Sequence, residues 1–425
     1  MKIARLFLNS IGYRFSRRLL SSAYTYRLAR LVFAHRKDYP FEANRMMVNL
    51  GLQQTARAYR RRQPVAWTSA FFPEEIIHAL GLVPFAPEVA AATAAALGLA
   101  PELLNRAERL GFSRDTCSFH RCAGAGTLEG FFPAPDLLVA SSHLCDGAPQ
   151  LFRYLSKKCG VPFLLLDVPS LQGDRAERYV QEQLKQLAGE IEKITGRRLT
   201  AEAMRRVTEC SNRSRAAQLE VSRLRRAVPS PMRTREAMGY VYLQFLGHGL
   251  QETAAIYERL AGELTQKLQG KRKYETGKAR ERFRLIWLQL GPYYPNRLFS
   301  YLEDHLHMPG VFEEMNFVYW PPLDPEQFFL TLARKVLSHP SLGPAGRRLE
   351  LVLKLVKDYR AQAVVHFSHW GCRQAVGGIF YLKEELRRRG VPFLSLDGDC
   401  VDASCFPPGQ ALTRLQSLQE ILEGI

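Results

Sequence analysis

The chain has 425 residues, 46% hydrophobic and 24% charged. That composition excludes a largely disordered protein and, at roughly 150 residues per domain, implies two or three folded domains. The formal net charge is +18, and no stretch approaches the roughly 18 uninterrupted apolar residues of a membrane-spanning helix.

The charge is uneven from the start. Residues 1–37 hold nine basic residues (Lys2, Arg5, Arg14, Arg17, Arg18, Arg27, Arg30, Arg36 and Lys37) and no acid. Leu, Phe, Tyr and Val are interleaved at helical spacing, so residues 1–60 read as a basic helical arm. Such an arm suits a helix packed on the body with a solvated basic face. It is also a candidate surface for an acidic partner or an anionic membrane, and it shares the composition of an Arg-rich targeting peptide. Further basic clusters at 223–226, 271–273 and 387–389 fall in helical stretches. No zinc finger, RRM or homeodomain pattern accompanies the charge, so no nucleic-acid partner is expected.

Two blocks follow, at 61–174 and 283–425, each with short apolar runs separated by helical segments. The predicted strands are 65–69, 82–86, 136–141 and 162–167, then 285–289, 316–320, 363–367 and 392–397. Runs apolar on both faces suit parallel strands covered by helices on either side, which makes the fold class α/β with two open parallel-sheet domains facing across a cleft. "CGVPFLLLD" and "RRGVPFLSLD" look like copies of one device: a helix ends at Gly160 or Gly390, and a strand runs on to Asp167 or Asp397. Residues 175–282, rich in Gln, Glu, Arg and Ala, read as a helical connector interrupted at Val228-Pro229-Ser230-Pro231.

In open sheets, ligands collect at the carboxyl ends of the strands. Three of the eight cysteines fall there. Cys117 lies in "RDTCSFHRCAGAG", Cys145 in "DLLVASSHLCDG" and Cys372 in "AVVHFSHWGCRQ". Cys145 and Cys372 follow equivalent strands, where the start of a helix favours a thiolate. Three thiolates converging from two domains could hold an iron–sulfur cluster, and the same placement also suits buried core thiols. Scattered cysteines in a chain of this size point to a reducing, cytoplasmic compartment rather than disulfides. His143, His366 and His369 crowd the same strand ends and are expected to hydrogen-bond rather than ligate. Gly124-Ala125-Gly126 with Gly130 mimics a dinucleotide fingerprint but precedes its strand, and no Walker motif appears.

Three segments carry a resemblance. "AFFPEEIIHALGLVPFAPE", the first cysteine block through "GVPFLLLDVP", and the block from "AVVHFSHWGCRQ" to the closing Thr413-Arg414 resemble, in order, the 2-hydroxyacyl-CoA dehydratase and benzoyl-CoA reductase family. The resemblance runs from about residue 60 to the end. It implies two flavodoxin-like domains holding a [4Fe-4S] cluster through Cys117, Cys145 and Cys372. It implies as partners a related second subunit or a second copy, and an ATP-dependent activator with its own [4Fe-4S] cluster. The reaction implied is radical dehydration of a CoA thioester, or electron-consuming reduction in the benzoyl-CoA reductases, under anaerobic, oxygen-sensitive conditions.

A third, double-cubane branch is also similar but uses further cysteines. Here those stretches read "EGFFPAPD", Gly291-Pro292-Tyr293-Tyr294 and Glu314-Met315-Asn316, so a single cubane is expected. Cys122 and Cys400 are the candidates for a fourth ligand, which would close the open iron and make this an electron-relay subunit. "GPYYPNRLF" and "FVYWPP" place aromatics at the expected rim of the site.

Overall fold

The computed structural model describes residues 13–36, 38–270 and 281–424, with side chains from residue 17 onward. Residues 1–12, Lys37 and the basic cluster at 271–273 lie outside these.

The apolar runs form strands because a sheet with helices on both faces hides both rows of side chains. Strands β1 (Val65–Thr68), β2 (Val83–Phe85), β3 (Leu137–Ser141) and β4 (Phe163–Leu166) build one parallel sheet in the order β2-β1-β3-β4. Strands β5 (Leu285–Leu288), β6 (Gly310–Glu313), β7 (Ala363–His369) and β8 (Phe393–Gly398) repeat that order as β6-β5-β7-β8. The register places Trp67 beside Phe85 and Leu138, and Trp287 beside Glu313 and Val365. The fold is therefore α/β, with two flavodoxin-like parallel sheets. Gly160 and Gly390 both adopt left-handed backbone (φ +67° and +70°) just before β4 and β8, as their repeated sequence context anticipates.

One strand is corrected. The sixth is Gly310–Glu313 rather than 316–320. The aromatic run that suggested a strand leaves the sheet instead. The Arg215 Nε donates to the Trp320 carbonyl at 2.7 Å, and the rings of Tyr319 and Trp320 pack on His339 and His248 at 4.6 and 4.8 Å. Its backbone is satisfied by side chains, and its rings fill the space between the sheets.

Helices bind the sheets together. The helix Asp174–Thr195 packs Val180, Leu184 and Ile191 on the first sheet alongside Leu332 and Val336 of the helix Phe328–Leu337. The latter follows β6 of the second sheet, so it staples the two halves. Its Lys335 meets Glu75 of the short helix Glu75–Ala79 at 2.6 Å, both buried. The helix Glu42–Arg60 packs on Ala201–Leu224 and Gln251–Leu268, and the Glu263 carboxylate accepts the backbone N–H groups of Glu42 and Ala43 at 3.0 Å each. An anion there complements the positive end of the helix dipole. No helix among the described residues is long and apolar enough to cross a membrane.

In a 2-1-3-4 order the chain leaves β1 to one side and returns to β3 on the other, which opens a crevice between their carboxyl ends. The equivalent crevice of the second sheet lies between β5 and β7. The loops that leave β3 and β7 carry Cys145 and Cys372.

Candidate cofactor site

Each of the three cysteines stands at the start of a helix. Cys117 caps Ser118–Leu128, Cys372 caps Arg373–Val376, and Cys145 precedes Gly147–Cys159 by one residue. Nearby backbone N–H groups pull the thiols toward the thiolate: His120 on Cys117, Gly147 and Ala148 on Cys145, and Gln374 and Ala375 on Cys372. Helix starts with free N–H groups favour a negative sulfur.

Glycines let the loops close on each other. Gly371 has φ +74°, and a Cβ there would lie 3.1 Å from both the N and Cα of Cys117. The second sheet's loop therefore meets the first sheet's loop backbone to backbone. A Cβ on Gly147 would lie 2.9 Å from the His120 ring. Arg373 pairs with Asp146, which joins the Cys145 and Cys372 loops.

Burial pushes all three thiols up, and they push one another. Cys117 is raised well above its ordinary value by burial, then by Cys372 and Cys145; Cys372 is raised by burial and by Cys145. Three half-buried sulfurs near helix starts, of which Cys117 and Cys372 are raised by the others as thiolates, are a donor set that a positively charged, thiophilic group would suit. Among the described residues no set of three or more His, Cys, Asp and Glu side chains is grouped as for a single metal ion.

The surrounding side chains have definite orders. The Cys400 backbone N–H donates to the His369 Nδ1 at 3.1 Å, so the ring proton sits on Nε2, which lies 3.3 Å from the Cys117 sulfur. Burial holds His369 below its ordinary value and hence neutral. Asp399, fully buried, accepts from the Ser118 hydroxyl at 2.6 Å and from the Val401 and Asp402 N–H groups at 2.7 Å, tying the start of the Cys117 helix to the second sheet. On the other flank the His120 Nε2 is 3.8 Å from the Cys145 sulfur. Burial raises the Glu88 carboxyl, and His120 pulls it down. Glu88 also raises Cys145, so Glu88, His120 and Cys145 form a row.

Of the three histidines singled out in sequence, only His369 touches a cysteine. His366 Nδ1 faces the Ser368 hydroxyl at 3.1 Å, and His143 is buried against Phe71 and His339 with neither ring nitrogen bonded. The two candidates for a fourth thiol part company. Cys122 is buried and pushed up to about 12 by desolvation, with Arg121 its only charged neighbour of note. Cys400 is raised by burial, Asp399, Cys117 and Cys372. Sequence reasoning missed His120 and Glu88. The signals were there: His120 stands one helical turn after Cys117, and Glu88 opens the helix after β2.

A small cavity of about 30 Å³ is lined by aromatic and apolar groups such as Phe71, Phe245, Phe317 and Tyr319, with Lys335 and His339. Phe71 holds the left-handed φ of +70°, and its ring touches His143, which stands two residues before Cys145. A non-glycine residue kept in that region is held by its surroundings.

A family described as 2-hydroxyglutaryl-CoA dehydratase, D-component, matches residues 69–422. The chain is 25% identical over 378 residues to the (R)-phenyllactyl-CoA dehydratase alpha subunit of Clostridium sporogenes, covering 86% of this chain and 91% of that one. It is 23% identical to the (R)-2-hydroxyisocaproyl-CoA dehydratase alpha subunit of Clostridioides difficile (90% and 96% covered). A benzoyl-CoA reductase subunit of Thauera aromatica is 24% identical over 348 residues, 75% of this chain and 79% of that one. With a match that spans most of its length, the chain belongs to the 2-hydroxyglutaryl-CoA dehydratase D-component family.

Proposed function

We propose that this chain is the iron–sulfur subunit of a 2-hydroxyacyl-CoA dehydratase, with Cys117, Cys145 and Cys372 holding one [4Fe-4S] cluster. The observation that carries the reading is the approach of three half-buried thiols, each at or just before a helix start, from loops of both sheets. When bound, such a cluster would supply a single low-potential electron to a CoA thioester and take it back once the 2-hydroxyl and a substrate proton had left as water. The chain's own residues set the stage. His369 donates its Nε2 proton to the Cys117 sulfur. Glu88, raised by burial, is suited to hold a proton beside His120.

The dehydratase relatives are named as alpha subunits, which supports a second subunit here. Exposed Trp370, Val376, Phe380 and Tyr381 beside Cys372 offer an apolar rim for it. Electrons would come from a separate ATP-dependent activator. The likeness to a benzoyl-CoA reductase chain favours, as a second reading, electron-consuming reduction of an aromatic thioester.

The test is iron and acid-labile sulfide on protein purified and reconstituted without oxygen, with about four of each per chain expected. Cys117→Ala, Cys145→Ala and Cys372→Ala should each lose the cluster, and full iron in all three overturns the assignment. With 2-hydroxyacyl-CoA thioesters, electrons should be needed in catalytic amounts; stoichiometric consumption selects the reductase.

A further inference from the structure

The basic arm lies before the segment matched by the family, and its described part has an unusual surface. The helix Ala23–Ala34 turns Tyr26 inward, where it stacks on Tyr59 at 5.4 Å, while Arg45 bonds the Ala34 carbonyl at 3.0 Å. The arm is thus bolted to the helix Glu42–Arg60. Its opposite face carries Tyr24, Leu28, Leu31 and Val32, at spacings of four, three and one, which places them on one stripe. They are 77%, 64%, 64% and 60% exposed, against values near zero for core residues of the same types. A soluble helix normally turns such residues inward. On the arm Arg17, Arg18 and Arg27 are exposed; Arg17 donates to the Glu129 carbonyl at 3.2 Å, and neither Arg18 nor Arg27 has an ion-pair partner among the described residues. No acid occurs from residue 1 to residue 37.

An outward apolar stripe flanked by uncompensated arginines is complementary to a surface that is apolar within and anionic at its edge. We propose that the face formed by Tyr24, Leu28, Leu31 and Val32 with Arg17, Arg18 and Arg27 seats the protein on the headgroup layer of an anionic membrane. The apolar residues enter the acyl boundary and the arginines pair with lipid phosphates. The arm's fixed docking on Glu42–Arg60 means that the body is held at the bilayer in one orientation.

Full-length protein is sedimented with vesicles of phosphatidylcholine alone or of phosphatidylcholine and phosphatidylglycerol in equal parts. The mixed vesicles should bind it on the order of tenfold more tightly, and high salt should remove most of that preference. Leu28→Glu with Leu31→Glu, and separately Arg18→Glu with Arg27→Glu, should each lower binding about tenfold. All of these side chains are exposed, so melting temperature and circular dichroism should not move. Equal binding to both vesicle types, or binding unaffected by both sets of substitutions, overturns the proposal. So does a wild type that ignores vesicles while the same substitutions release a partner subunit, which would make the face a protein contact.

Discussion

The imidazole Nε2 of His369 lies 3.3 Å from the sulfur of Cys117, joining the ends of two separate sheets across 252 residues of sequence. Its tautomer is dictated by the Cys400 amide on Nδ1, so the contact is an N–H donated to sulfur. Donors of this kind steady a ligand and tune what it holds. His369→Ala should weaken cluster retention about 10- to 100-fold, read as faster chelator-driven iron release from reconstituted protein. Cys400→Ala keeps the backbone N–H and should retain its four irons, and so should Cys122→Ala, whose thiol lies in the apolar core. Loss of one iron in Cys400→Ala would assign it as the fourth ligand.

Gly371 tests how tightly the two loops must meet. Its positive φ and the 3.1 Å approach of a Cβ to the Cys117 backbone should make Gly371→Ala cost about 1–3 kcal/mol and loosen Cys117. Gly390 has a similar φ of +70° but nothing within 4 Å of its Cβ. Gly390→Ala should therefore cost only the backbone term, about 1 kcal/mol. Denaturant melts of the two cluster-free variants give the comparison, and only Gly371→Ala should also lower iron content.

The contrast between these glycines shows what could be read beforehand. Gly390 and Gly160 were legible because a helix stop before Val-Pro is a local signal. Seven of the eight strands were legible for the same reason, as short runs apolar on both faces. The sixth was not. "GVFE" contains a glycine and ends in Glu313, a buried carboxylate held by Arg225 at 2.7 Å and by Thr234 and Asn316, all outside the strand. The aromatic stretch after it looked more like a strand than the strand did. In the candidate site, Cys145 and Cys372 stood out through their duplicated position. Glu88 and His120 did not, because their relation to Cys145 exists only once β2 and β3 are folded into one sheet. Nothing in spacing distinguished Cys122 from Cys400; the path of the helix Ser118–Leu128 does.

The Lys335–Glu75 pair should be the most sensitive contact between the halves. Both groups are buried, at 2.6 Å, and the Ser211 hydroxyl also bonds Glu75 at 2.9 Å. Lys335→Met removes the partner and leaves a buried carboxylate, which should cost about 3–5 kcal/mol. Adding Glu75→Leu removes the stranded charge and should restore most of that loss. A double-mutant cycle by urea denaturation measures the coupling. Additive losses would show that the pair contributes nothing beyond its two side chains.

The same region predicts how stability responds to acid. Burial holds His78 down at about 4, and His143 and His248 at about 3, against an ordinary value of 6.5. Each depressed histidine contributes stability that is complete above 6.5 and is lost as pH falls through its folded value. Glu75 acts in the same direction. Burial pushes it up, but Lys335 and His248 outweigh that and hold it at about 2, so its contribution is lost between 4.5 and 2. Glu303 opposes them: burial raises it to about 8 against the pull of Arg235, so its contribution is present below 4.5 and fades as pH rises through 8. Glu74, also raised by burial, works in the same sense as Glu303. Between 4.5 and 6.5 the depressed histidines outweigh these raised carboxylates, whereas above 6.5 the carboxylates alone still titrate. Unfolding free energy of the cluster-free protein should therefore peak near pH 6.5 and fall on both sides of it, toward acid and toward 8. Glu303→Gln should reduce the alkaline decline and leave the fall below pH 4.5 unchanged. A stability that kept rising from pH 6.5 to 8 in the wild type would contradict the assignment of Glu303.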